Sequence, residues 1–251
     1  MPEFITSPDN HQIAYRHLAG SLPTIVFLPG FFSNMEGTKA TFFEKQCRKR
    51  GQADVRFDYR GHGASDGRFE DGTITDWLND ALLVIDQVAE KPVLVVGSSM
   101  GGWLALLAAQ KRPKQIRGLV GIASSPDFTK SIYEERLNDE QRESIDQKGY
   151  ILSPSEYREE PVKITKKLLE SGNRHLLLNQ DSINLEIPVC LIHGKKDVDV
   201  PRQKSQQLYG KIGKDRCELK LIPDGEHRLS RPQDLQLLDE CIQHVRSLVN
   251  N

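Results

Sequence analysis

Cysteine is scarce: the 251 residues hold only Cys47, Cys190, Cys217 and Cys241, far apart from one another. Their spacing gives neither the C-x-x-C pair of a redox centre nor a zinc-ligand set, so no disulfide framework and no metal site is expected. Buried free thiols, as found in a reducing compartment, are the expectation. An excess of charge of one sign is also missing, since 34 Lys+Arg stand against 35 Asp+Glu for a net charge of -1. That balance lacks the basic footprint of phosphate-backbone binding and argues against a nucleic-acid partner. No run approaches the roughly 20 apolar residues that cross a bilayer, so no membrane span is expected. The opening MPEFITSPDNHQ has no basic or apolar leader pattern, and a cytoplasmic protein is expected. Repeats, low-complexity tracts and Gly/Ser linkers are absent as well, which favours a single domain over residues 1–251.

What is present is a rhythm. With 37% hydrophobic and 27% charged residues, the composition is that of a globular chain. Phe4 to Ser7 and Ile13 to His17 flank the turn-forming Pro8-Asp9-Asn10, which predicts an opening hairpin. Short apolar runs then alternate with helical stretches: Thr24 to Leu28 before Thr38 to Lys49, Asp54 to Phe57 before Thr73 to Ala89, Val93 to Val96 before Gly101 to Gln110, then Gly118 to Ile122. Runs of this kind fit strands buried on both faces of a mostly parallel sheet, with helices as crossovers. Ile74, Trp77, Leu78, Ala81, Leu82, Ile85 and Val88 form one apolar stripe at helical spacing. After Ser124 the rhythm stops for about sixty residues, too long for an ordinary loop. Residues from about 125 to 185 are therefore expected to form a helical lid. In it Asn138-Asp139-Glu140 starts a helix, and Gly149 and Gly172 stand where helices stop. The rhythm resumes at Val189 to Ile192, Gln203 to Tyr209, Glu218 to Ile222 and Gln233 to Leu248.

Val93 to Val96 runs into Gly97-Ser98-Ser99-Met100-Gly101 and then into a helix, the context in which G-x-S-x-G lifts a serine hydroxyl off a sheet. Residues two before and two after the nucleophile must be small, which selects Ser99 and rejects Ser98, flanked at those offsets by Val96 and Met100. A serine hydroxyl needs a base, and the base needs a carboxylate to fix its tautomer. In strand-to-loop order the acid falls in His193-Gly194-Lys195-Lys196-Asp197-Val198-Asp199, where Asp197 is preferred to Asp199. The base falls at His227 in Pro223-Asp224-Gly225-Glu226-His227, while His193, His62 and His244 are read as structural. Backbone N–H groups of Met100 and Phe31 are the candidate oxyanion donors. Asp58 to Gly67 is glycine-rich but lacks G-x-x-x-x-G-K-[ST], and is read as a scaffold loop.

Through Arg60-Gly61-His62-Gly63, the serine elbow, His193 to Asp197 and the terminal histidine loop, the chain resembles the α/β-hydrolase superfamily. Phe27 to Gly30, Asn34 to Ala40, Arg56 to Tyr59, Gly97 to Trp103 and Ser153 to Tyr157 are similar to the mitochondrial family of palmitoyl-protein thioesterases and acyl-glucuronide esterases. The resemblance implies Ser99 as nucleophile, Asp197 as acid and His227 as base, acting without a cofactor on acyl-ester or acyl-thioester bonds of small molecules or acylated proteins. The lid residues Phe128, Tyr133, Tyr150 and Leu152, with Ile132, Ile151 and Tyr157, are the candidate acyl contacts. The competing readings are a peptidase on the same fold and a non-catalytic ligand-binding relative.

Overall fold

The computed structural model describes residues 1–154 and 161–249, and the lid candidate Tyr157 lies outside them. Eight strands form one sheet: β1 (Glu3–Thr6), β2 (Gln12–Leu18), β3 (Ser21–Leu28), β4 (Gln52–Phe57), β5 (Val93–Ser98), β6 (Ile116–Ile122), β9 (Val189–Gly194) and β10 (Cys217–Ile222). Their order across the sheet is β1-β2-β4-β3-β5-β6-β9-β10. β1 and β2 form the expected antiparallel hairpin, and β2 pairs antiparallel with β4. From β4 to β10 every pairing is parallel.

Both faces of the parallel part are covered, which is why its strands read as continuous apolar runs. Ile25, Phe27, Leu94, Val96, Val120 and Ile192 pack on α1 (Thr38–Arg50) and α8 (Pro232–Val249). Val26, Leu28, Val95, Leu119 and Leu191 face α2 (Ile74–Gln87), α3 (Met100–Lys111) and α7 (Gln203–Ile212). The stripe on α2 is buried as its spacing predicts, and Thr73 caps the helix by accepting from the Asp76 N–H.

The stretch between β6 and β9 is not purely helical. It holds α4 (Phe128–Ser131), a π-type turn over Ile132–Arg136, α5 (Asp139–Lys148), a two-stranded antiparallel hairpin of β7 (Tyr150–Ser153) and β8 (Val162–Thr165), and α6 (Lys166–Asn173). Asn138 caps α5 in a reciprocal box with Gln141, and Gly149 ends it at a φ of 78°. Gly172 stands one residue before the end of α6, where a helix stop is expected; there a Cβ would stand 1.9 Å from Thr129 Oγ1, so the glycine also serves close packing of α6 on α4. Asp127 closes the base of the insertion: its two carboxylate oxygens each accept, at 2.8 Å, from the Leu177 and Leu178 N–H groups. A small core of Leu137, Ile145, Ile151, Val162, Ile164 and Leu169 holds the insertion together and touches Phe31, Phe32 and Phe69 of the body.

Candidate active site

The carboxyl ends of β3, β5, β6, β9 and β10 meet at one edge of the sheet. At the end of β5 the chain turns into α3 through Ser99, whose φ of 55° and ψ of -119° are costly for a residue with a side chain. The glycines around it are steric necessities. A Cβ on Gly97 would lie 2.2 Å from the Gly101 carbonyl oxygen, and one on Gly101 would lie 2.0 Å from the Leu28 carbonyl oxygen.

His227, in the loop after β10, places Nε2 3.1 Å from Ser99 Oγ and Nδ1 2.7 Å from Asp197 Oδ2. A carboxylate only accepts, so Nδ1 carries the proton and the Nε2 lone pair faces the serine hydroxyl. Asp197, in the loop after β9, has a fully buried side chain. Its Oδ1 accepts from the Asp199 and Val200 N–H groups at 2.9 and 2.8 Å. Burial alone would raise the pKa of this carboxyl, but hydrogen bonds from His193 and then His227 outweigh it and hold the group well below the usual carboxylate range. The sequence-predicted trio is thus brought together. Asp199 reaches Asp197 through its backbone N–H.

Two further side chains touch this set, His193, which is read from the sequence as structural, and Ser125, which the sequence does not single out. His193 Nε2 lies 3.0 Å from Asp197 Oδ2, and Ser125 Oγ, just past β6, lies 3.3 Å from Ser99 Oγ. Either could have been suspected, His193 as a histidine four residues before the acid and Ser125 as a hydroxyl at the carboxyl end of the strand beside β5. Asp197, Asp199 and His227 offer ligand atoms within 4.8 Å of one another, the one metal-like grouping among the described residues. Asp197 already accepts from backbone and imidazole donors there, which fits an acid–base pair.

The Met100 and Phe31 N–H groups have no hydrogen-bond partner among the described residues, as oxyanion donors require. Gly30 carries the backbone past Ser99, since a Cβ there would stand 3.3 Å from Ser99 Cβ. The neighbourhood is aromatic. Phe31 lies edge-on to Phe69 and Trp77 with ring centroids 4.9 and 5.7 Å away, and Phe32 stacks on Phe69 at 3.7 Å. Phe128 bridges Phe31 at 5.3 Å and Trp103 at 5.8 Å.

The other lid candidates are placed elsewhere. Tyr133 packs against the lid's own core beneath the Arg142 guanidinium, 5.9 Å from its ring centroid. Tyr150 lies under the Lys163 ammonium, 4.1 Å away, and lines a cavity of about 450 Å³ with Arg68 and Lys167. Alternation along β7 turns Ile151 into the lid core and leaves Leu152 56% exposed. Among the described residues no hydrogen bond or ring contact joins Tyr150 or Leu152 to Ser99, and both belong to the lid hairpin rather than to the surroundings of the serine. The glycine-rich loop is scaffold, as expected: Arg60 pairs with Asp80 and Asp9, and His62, its pKa pushed down to about 4 by burial, sits neutral among Tyr59, Phe69 and Trp77.

A mostly parallel sheet with a serine elbow, followed in chain order by an acid and a histidine at its carboxyl edge, defines a hydrolase class. The chain belongs to the alpha/beta hydrolase family, whose model matches residues 25–235. It is 38% identical to the mitochondrial palmitoyl-protein thioesterase ABHD10 of Bos taurus, over 98% of this chain and 82% of that one. A solved structure from Agrobacterium vitis S4 superposes with a TM-score of 0.93 at 38% identity, covering 98% of both chains. The mouse alpha/beta hydrolase domain-containing protein 10 superposes with a TM-score of 0.90 at 37% identity, also over 98% of both. These relatives correct the expected location. Five of them, at 36 to 38% identity, are named mitochondrial, which points away from the cytoplasm. The four buried free thiols are compatible with either location and could not make that distinction. Among the described residues no helix is long and apolar enough to cross a membrane.

Proposed function

We propose that this hydrolase cleaves acyl thioesters and carboxylic esters through an acyl-enzyme on Ser99, with His227 as base, Asp197 as its orienting acid, and residues from about 125 to 185 as the lid of one domain. The unbroken chain from Ser99 Oγ to His227 Nε2 at 3.1 Å and from His227 Nδ1 to Asp197 Oδ2 at 2.7 Å carries the reading. As Oγ attacks the carbonyl carbon, its proton passes to His227 Nε2, and the Met100 and Phe31 N–H groups receive the oxyanion. Collapse breaks the C–S or C–O bond, and the leaving thiolate or alkoxide takes the proton from His227, which restores the neutral base. Water then gives a proton to His227, attacks the acyl carbon and releases the acid, returning the proton to Ser99.

Substrate class follows from the surroundings and from the relatives named as thioesterases. Phe31, Phe32, Phe69 and Phe128 offer an apolar lining for an acyl chain beside the nucleophile. Small-molecule and acylated-protein substrates both present such a chain. Each methylene buried there contributes about 0.8 kcal/mol, or up to about fourfold in kcat/KM per carbon where the gain is realised in the transition state. The test is kcat/KM for thioesters and p-nitrophenyl esters of two to sixteen carbons, with aminoacyl-anilides alongside. The expected profile rises through medium chain lengths, with anilides inert. A profile that falls steadily beyond acetyl, or anilide turnover rivalling the esters, contradicts it and favours a small-ester hydrolase or a peptidase.

A further inference from the structure

Two imidazoles hold Asp197, and only one of them faces Ser99. His193, the fifth residue of β9, has no solvent exposure. Its Nε2 stands 2.9 Å from the Val200 carbonyl oxygen and 3.0 Å from Asp197 Oδ2. Both are acceptors, so this nitrogen carries a proton whatever the charge of the ring. Nδ1 lies 2.7 Å from the hydroxyl of Ser205, the third residue of α7, which is 1% exposed. In the neutral ring that hydroxyl donates to Nδ1 and fixes the tautomer that presents Nε2–H to the acid.

We infer that His193, oriented by Ser205, is a positioning residue for Asp197: its Nε2–H fixes the plane in which the carboxylate meets His227. The inference rests on the Ser99–His227–Asp197 reading. Three hydrogen bonds hold the carboxylate, from the Asp199 and Val200 N–H groups on Oδ1 and from His227 on Oδ2, and His193 Nε2, whose N–H donates to the Val200 carbonyl, stands 3.0 Å from the same Oδ2. With His193 gone, Oδ2 keeps one donor, and that donor is the ring it must hold still. A histidine that merely filled the end of β9 would need neither an N–H this close to the acid nor a hydroxyl behind the ring.

Steady-state kinetics of His193→Leu, His193→Gln and Ser205→Ala, each in the wild-type and the Asp197→Ala background, test this on a p-nitrophenyl ester. His193→Leu should lower kcat by about ten- to a hundredfold with KM nearly unchanged, the scale on which partners behind a working imidazole act. His193→Gln returns an amide N–H close to the Nε2 position and should recover most of the rate. Ser205→Ala should cost a few-fold, again in kcat. In the Asp197→Ala background, with no carboxylate to orient, all three should cost less than about twofold, the coupling expected of groups that act as a unit. Equal losses in both backgrounds, or wild-type kcat in folded His193→Leu, overturn the inference. Should His193→Leu fail to melt cooperatively, Ser205→Ala carries the test by itself, and wild-type kcat in that variant overturns it. Wild-type turnover by Asp197→Ala alone would instead overturn the triad reading on which the inference rests.

Discussion

Asp197→Asn changes one atom, and the structure dictates which way the new amide faces. Oδ1 receives the Asp199 and Val200 N–H groups at 2.9 and 2.8 Å, so the oxygen of the asparagine must stay there. The opposite rotamer sets an NH₂ against two N–H donors and leaves them unsatisfied, at a cost of about 1–3 kcal/mol each. The NH₂ therefore takes the place of Oδ2, 2.7 Å from His227 Nδ1 and 3.0 Å from the Nε2–H of His193. It donates to Nδ1, the ring proton moves to Nε2, and that nitrogen can no longer accept from Ser99. Triads with this defect lose ~10⁴ in kcat, equivalent to about 5.5 kcal/mol of transition-state stabilisation. Asp199→Asn keeps the backbone N–H through which Asp199 meets the acid and should stay within a few-fold of wild type. The assay is kcat/KM on an activated ester, with thermal melts to show that both variants are folded. A loss below about tenfold for Asp197→Asn, or a larger one for Asp199→Asn, refutes the reasoning.

Asp54 is buried on β4, where burial pushes its carboxyl up to about 7 from 3.8. Between those two pH values the unfolded chain gives up the proton and the native chain keeps it. Stability is therefore lost as pH rises through that window, by up to about 4 kcal/mol at about 1.4 kcal/mol per pH unit. Asp54→Asn removes this dependence, so urea unfolding should show the variant gaining on wild type from pH 5 to pH 8; a difference constant with pH contradicts the assignment. Gly101→Ala drives a Cβ to 2.0 Å from the Leu28 carbonyl oxygen and 2.5 Å from that of Pro29, and neither backbone atom can yield. It should cost about 1–3 kcal/mol of stability and displace the Gly30–Phe31 segment from Ser99, lowering kcat/KM as well. Gly210→Ala on α7 is the control, because nothing lies within 4 Å of the added methyl and the helix should gain up to about 1 kcal/mol.

The features legible in the sequence are those set by local sterics and periodicity. The elbow at Ser99 is one, because Gly97 and Gly101 are demanded by contacts of their own backbones. The stripe of α2 and the loops that deliver Asp197 and His227 are others, since strand ends fix where those loops fall. The lid hairpin escaped because β7 and β8 are four residues each and alternate around a core that exists only once the lid has folded. Tyr150 and Leu152 looked like acyl contacts for the same reason: apolarity is visible in a sequence, and the face it occupies is not. Gly172 was legible as a helix end, but not the packing that demands it, because Thr129 lies 43 positions away in the chain. The contacts of His193 and Ser125 were not legible because their partners arrive through tertiary structure. His193 meets Asp197 only after the loop beyond β9 folds back, and Ser125 meets Ser99 only through the pairing of β5 with β6.

The assignment of Ser99 as the nucleophile that carries the acyl group is open to active-site labelling. The wild-type protein, Ser98→Ala and Ser99→Ala are each incubated with a fluorophosphonate, then examined by intact-protein mass spectrometry and peptide mapping. Wild type and Ser98→Ala should each take one equivalent of label, mapped to the peptide containing Ser99. Ser99→Ala should take none, keep its melting temperature and lose turnover. Stoichiometric labelling of Ser99→Ala at another residue, or a wild-type protein that turns over ester while leaving Ser99 unmodified, would contradict that role for Ser99.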